Sequence, residues 1–182
     1  TSPRSGHVMV PLGNGKVLVA GGNSQSLTTV GTAEIYDAAS GTFNSVGSMT
    51  IPRTSFAATR LSDGKVLLIG GSDGSKYTAT AEIYDPSAAT FTATGSLTTA
   101  RGNHTASLLQ NGKVLVLGGR GASGILANAE LYDPDRGTFT VVGEMATARQ
   151  MHTTTVLENG KVLIAGGFTG TELKPVASVE LY

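Results

Sequence analysis

The chain has 182 residues, with 13 Lys and Arg balanced by 13 Asp and Glu, and it contains no cysteine and no tryptophan. That composition excludes disulfides and thiolate metal sites, and the scattered cations exclude the clustered positive charge that nucleic acid demands. No apolar run approaches the roughly 18 residues of a membrane-spanning helix, so no membrane insertion is expected.

One string recurs four times. Gly-Lys-Val-Leu-Val-Ala-Gly-Gly at residues 15–22 returns with small changes at 64–71, 112–119 and 160–167. Ala-Glu-Ile-Tyr-Asp at 33–37 returns at 81–85 and 129–133, and in part at 179–182. A repeat of this size marks a supersecondary unit copied in tandem, each copy burying its apolar faces against its neighbours. The chain therefore reads as a single array with repeats at about 1–48, 49–97, 98–145 and 146–182.

Within each copy the elements follow in a fixed order. A short run of small and apolar residues comes first, such as 104–109 in the third copy. It ends at Asn14-Gly15, Asp63-Gly64, Asn111-Gly112 or Asn159-Gly160, the strongest local hairpin signal because both turn residues accept positive φ. The Val-Leu-Val-Leu segment at 114–117 is too continuously apolar to have a solvated face. The paired glycines that end this second strand are Gly21-Gly22, Gly70-Gly71, Gly118-Gly119 and Gly166-Gly167, placed where the backbone bends or another segment comes close. A loop of variable sequence leads to the Ala-Glu-Leu-Tyr strand. Asp133-Pro134 opens a turn, and Gly-Thr-Phe-Thr-Val-Val at 137–142 makes the fourth strand. Four short antiparallel strands per repeat, with no helical periodicity, make an all-β β-propeller of four-stranded blades. The last repeat stops inside its third strand and lacks the outer one. The chain is therefore expected to be part of a larger ring, or a partial ring that self-associates as a homo-oligomer, because the blade would otherwise expose an unpaired edge.

Arg-x-x-His, Gly-Lys-Val-Leu-Val-x-Gly-Gly, Glu-[Ile/Leu]-Tyr-Asp-Pro and Thr-Phe-x-x-x-Gly, in that order, closely resemble the kelch repeat over the whole chain. The fourth-strand aromatic, often Trp in that family, is Phe43, Phe91 or Phe139 here. In this the chain resembles the arrays of secreted bacterial proteins and of the galactose-oxidase-like group, which implies an extracellular or bacterial cell-surface location. The copper radical oxidases of that group use a tyrosine cross-linked to cysteine, and this chain has no cysteine with which to build it.

Three sets of residues are candidates for function. One arginine and one glutamate recur in every copy: Arg4, Arg53, Arg101 and Arg149 with Glu34, Glu82, Glu130 and Glu180. Because all copies are alike, these read as structural pairs, in which a guanidinium holds a carboxylate and backbone carbonyls together. His7, His104 and His152 share one repeat position that holds Phe56 in the second copy, so they read as fillers of an aromatic slot. No metal, no cofactor and no catalytic residue is expected. What remains are the positions that differ between copies. These are the entry to the first strand (Gly6, Ser55, Asn103, Met151) and the loop after the paired glycines, which carries Lys76, Tyr77, Arg120 and Phe168. Antiparallel geometry puts both regions on one face. Exposed aromatics beside polar groups there suit recognition of a protein or a carbohydrate. The expected function is a non-enzymatic interaction or scaffold module. The alternatives are the propeller portion of a carbohydrate-active enzyme and a structural unit that completes a ring.

Overall fold

The computed structural model describes residues 2–182 and contains no helix among them. Blade 1 is formed by β1 (Val8–Gly13), β2 (Lys16–Ala20), β3 (Ala33–Asp37) and β4 (Thr42–Val46). Blade 2 follows with β5 (Ala57–Arg60), β6 (Val66–Ile69), β7 (Ala81–Asp85) and β8 (Thr90–Ala93). Blade 3 begins with β9 (Thr105–Leu108) and β10 (Val114–Leu117). A small hairpin, β11 (Arg120–Gly121) with β12 (Gly124–Ile125), precedes β13 (Asn128–Asp133) and β14 (Thr138–Glu144). Blade 4 has β15 (Thr153–Val156) and β16 (Val162–Ala165), a second small hairpin of β17 (Phe168–Thr169) and β18 (Lys174–Pro175), and β19 (Val179–Leu181). Each sheet is an antiparallel meander in chain order, four-stranded in blades 1 to 3 and three-stranded in blade 4. The two small hairpins lie inside loops that the sequence reading leaves irregular.

The innermost strands β1, β5, β9 and β15 pack side by side in chain order. The small residues there let the blades approach closely, and in places they bond across: Ser107 Oγ to Thr154 Oγ1 at 2.9 Å, and Thr105 Oγ1 to His152 Nε2 at 3.0 Å. In blades 2 and 3 the second strand is apolar on both faces because each face meets a neighbouring blade. Leu18, Ala20, Ala33 and Ile35 of blade 1 pack against Val66, Leu68 and Tyr84 of blade 2. In blade 2 Leu67, Ile69 and Ala81 meet Val114, Val116 and Tyr132 of blade 3. Leu115, Leu117 and Ala129 of blade 3 then meet Val162 and Ile164 of blade 4. Every blade thus has a leading and a trailing apolar face. The repeated tyrosine and phenylalanine stack across the third and fourth strands, with ring centroids 4.7 to 4.9 Å apart in the three complete blades.

The hairpins depart from the sequence expectation. Only in blade 1 do both turn residues take positive φ, Asn14 at 51° and Gly15 at 70°. In the other three only the glycine does. There the preceding residue instead accepts a backbone N–H two positions on: Asp63 from Lys65, Asn111 from Lys113, and Asn159 from Lys161. The cause is loop length. The first strand of blade 1 runs on to Gly13 through an irregular register, leaving a two-residue turn. In the later blades the strand ends earlier, at Arg60, Leu108 and Val156, and the connection is longer.

Candidate functional site

The repeated residues build a frame. Arg53 donates from Nη1 to the carbonyls of Gly70 and Thr80 and from Nη2 to Glu82 at 2.7 Å. Glu82 in turn accepts the backbone N–H groups of Thr50 and Ile51, which belong to the connection arriving from blade 1. Arg101 and Glu130 repeat the arrangement with Gly118, Asn128, Thr98 and Thr99, and their ion pair, at 2.6 Å, is fully buried. Arg149 and Glu180 repeat it again with Gly166, Ser178, Ala146 and Thr147. In blade 1 Arg4 reaches Gly21, Thr32 and Glu34, with the ion pair longer at 3.3 Å. Each unit therefore ties a linker to the blade it enters. Burial pulls the Arg53 and Arg101 guanidinium groups below their ordinary value, while the adjacent carboxylates oppose the shift.

The paired glycines sit where chains cross closely. A Cβ on Gly21 would lie 2.6 Å from the Arg53 carbonyl and 2.7 Å from the Phe56 ring; one on Gly71 would lie 2.7 Å from Phe56 Cβ. Gly70 and Gly119 flank His104 in the same way, and Gly118 and Gly167 flank His152. The aromatic slot thus lies between glycines of adjacent blades. Burial pushes His104 down to about 3, aided by the charge of Arg101, and pushes His152 down to about 4, aided by Arg149. Among the described residues, no group of three or more His, Cys, Asp or Glu side chains is placed to hold a metal ion.

The residues that vary between copies meet on one face. The entry segment of each blade bridges the loop after the glycines: Ser5 with Asn23, Thr54 with Ser72, Gly102 with Arg120, Gln150 with Phe168. Gly6, Ser55, Asn103 and Met151 all take φ between 54° and 64°. The Asn103 N–H donates to the Ser55 carbonyl, and the Met151 N–H to the Asn103 carbonyl, so the entry turns link blade to blade. These positions vary in side chain while the backbone conformation is constant.

The loops of blades 1, 2 and 3 enclose a cleft of about 590 Å³ on this face. Asn23, Leu27 and Thr29 come from blade 1, Thr54, Ser55, Ser72, Ser75, Lys76 and Tyr77 from blade 2, and Asn103 and Ala122 from blade 3. Of the residues singled out from sequence, Lys76, Tyr77, Ser55 and Asn103 line it together, while Arg120, Met151 and Phe168 lie outside it. Lys76 is exposed, and the neighbouring Asp73 carboxyl is held down to about 2 by the backbone N–H groups of Lys76 and Ser75.

The two aromatics are not the free surface residues expected. Both are half-buried. The Tyr77 ring lies against Gly102, where a Cβ would come within 3.0 Å of it, and Phe168 is fixed by two backbone hydrogen bonds to Gln150. Tyr77 is thus also a packing residue, and its space depends on Gly102, which directly follows the entry arginine Arg101. The exposed apolar residues of this face are others, among them Leu27 at 79 % and Met151 at 62 % exposure, both at positive φ. Leu27 escapes sequence reasoning because leucine in a polar loop gives no signal until its backbone conformation is known.

Two smaller clefts lie at the hairpin end. One, of about 470 Å³, includes Asp63, Asn111, Lys113 and Asp133; the other, of about 370 Å³, includes Asn14, Lys16 and Asp37. They are lined largely by repeat-invariant turns and by the Lys113–Asp133 and Lys16–Asp37 pairs, which serve the blades themselves.

The model of the kelch motif matches residues 53–98 and 101–146, each starting at an entry arginine and ending shortly before the next, and together slightly more than half of the chain. The chain belongs to the kelch-motif family. No curated protein matches it significantly. The two matched kelch repeats contain the Arg53–Glu82 and Arg101–Glu130 units, and the flanking copies carry the same residues at the same spacing.

Proposed function

We propose that this kelch array is a non-enzymatic interaction module whose loop face docks a protein partner. The observation that carries the reading is the clustering of the variable positions on that face, with Leu27 and Met151 exposed there on left-handed backbone. Exposed leucine and methionine gain nothing from the fold, and a left-handed backbone costs a residue with a Cβ about 1–2 kcal/mol. Such residues are retained where a partner covers them. The Phe-bearing form of the fourth strand supports a setting outside the cell or on a bacterial surface.

The test is selection of a phage-displayed random peptide library on the purified chain. Enriched peptides should bind Leu27→Ala and Met151→Ala variants at least tenfold more weakly, and should bind an Asn111→Ala variant of the hairpin face normally. The opposite pattern would move the working surface to the hairpin end.

A second reading has its own observation. Val179 and Leu181 on the leading face of blade 4 are 59 % and 58 % exposed, whereas the equivalent Ala129 of blade 3 is fully buried. This supports a further blade covering that face, from adjoining polypeptide or from a second copy. Light scattering on the chain separates the two sources, since only a second copy raises the mass.

A further inference from the structure

The cleft enclosed by the loops of blades 1 to 3 has a chemistry distinct from its apolar rim. Its walls are rich in neutral hydrogen-bonding side chains, among them Asn23, Thr29, Ser55, Ser72 and Asn103, with the ring of Tyr77 between them. Among the described residues no carboxylate lines it, and Lys76 is its one charged lining residue. Several of the polar atoms are uncommitted. Asn23 uses its Oδ1 to accept from Thr29, and Asn103 uses its Nδ2 to donate to Gln150, so the other end of each amide is available. The Ser55 hydroxyl makes no hydrogen bond to any other described residue.

Ser55 and Asn103 also occupy a conformation that glycine adopts freely, and Gly6 shows that glycine fits the same turn in blade 1. Ser55 therefore keeps its side chain at the expense of backbone strain, which points to a use for that side chain, whereas asparagine at 103 suits the turn and also presents its amide to the cleft. A ligand that satisfies open amide and hydroxyl valences without bringing charge, and that can lay a C–H face on a tyrosine ring, is a neutral saccharide. An anionic ligand would find a single cation, and a nucleic acid needs several.

We infer that this cleft is a saccharide subsite for a short neutral oligosaccharide, with Ser55, Asn103 and Asn23 as hydrogen-bonding residues and Tyr77 as the stacking wall. The inference rests on the loop face being the working surface and adds a second ligand class beside the protein-docking rim. The rigid frame around it fits that role, because Tyr77 is pre-placed by Gly102 and does not have to be ordered on binding.

The test uses the whole chain, labelled with ¹⁵N, titrated with neutral di- to tetrasaccharides built from glucose, galactose, mannose and N-acetylglucosamine. At least one should shift the amide resonances of Ser55, Tyr77 and Asn103 saturably. The Ser55→Gly, Asn103→Gly double variant keeps the turn conformation, so it should fold with a native-like spectrum and bind that saccharide at least tenfold more weakly. If no sugar in the panel shifts these resonances at millimolar concentration, or the double variant binds as well as the parent, the inference is overturned. Library peptides that compete for these same resonances in place of any sugar would also overturn it, and would leave the docking function standing. Failure of both sugars and peptides to bind this face would remove the docking function as well.

Discussion

The arginine and glutamate of each repeat show how much one buried pair can organise. Arg101 and Glu130 have no exposed side-chain surface, and their remaining hydrogen-bonding capacity is taken up by backbone groups of two blades. Removing either partner leaves the other charge buried without compensation. Arg101→Ala or Glu130→Ala should therefore lower stability by about 3–5 kcal/mol in denaturant melts. His104 presents the opposite case. It is buried with no well-formed hydrogen bond on either ring nitrogen, only a poor contact with the Ile69 backbone, in a slot that holds Phe56 one blade earlier. His104→Phe should raise stability at neutral pH by about 1 kcal/mol, because it removes an unsatisfied polar group. The same residue makes the fold acid-sensitive. The folded value of about 3 lies below the ordinary 6.5, so the unfolded chain takes up a proton that the folded chain refuses. Stability is complete above pH 6.5 and declines as pH falls toward 3, and His152 adds to the decline down to about 4. Melts of the His104→Phe variant between pH 7 and pH 4 should show a flatter profile than the parent; an equal slope would mean that His104 is not desolvated.

Among the elements, the turn after each second strand is the least forgiving. Gly118 has φ 57°, and a Cβ there would meet the Arg149 carbonyl at 2.5 Å and the Met145 side chain at 2.7 Å. The backbone carbonyl is itself fixed by a hydrogen bond from Gly119, so it cannot give way easily even where the Met145 methyl can. Gly118→Ala should accordingly cost more than about 3 kcal/mol, combining left-handed strain with overpacking. Gly41 has a similar φ of 69° but nothing within 4 Å, so Gly41→Ala isolates the strain alone and should cost only about 1 kcal/mol. Parallel thermal melts of the two variants measure the difference. The hairpins carry a related lesson. Asn-Gly and Asp-Gly correctly mark four turns, yet the turn geometry divides one against three, because it depends on where the preceding strand stops pairing and not on the dipeptide.

At the scale of the whole molecule, stability is a sum of neighbour contacts, and the final interface is unmatched. Ala33, Ala81 and Ala129 are buried against the following blade, whereas Val179, at the same position in blade 4, is 59 % exposed and Leu181 on the same face is 58 % exposed. An apolar face of this kind promotes association. A Val179→Thr, Leu181→Ser variant should reduce the self-association of this chain in light scattering while leaving its melting transition within about 0.5 kcal/mol, the range for exposed positions. Unchanged mass in both proteins would show that this face does not drive association.

The repeat period, the alternation of turn glycines with apolar runs, and the recurrence of Arg and Glu determine the architecture from sequence alone. They do so because each copy must bury the same faces against the same neighbours, and identical packing leaves identical residues. The variable positions on the loop face are legible for the same reason, as those the packing does not constrain. Tertiary structure decides what those positions do. The half-burial of Tyr77 follows from an absent Cβ at Gly102, 25 positions away in sequence. The prominence of Leu27 follows from its left-handed backbone, and the separation of Phe168 from the cleft follows from its place in blade 4. A cleft made of three loops from three blades exists only once the blades are set side by side, since no pairwise spacing along the chain encodes the distances between their tips.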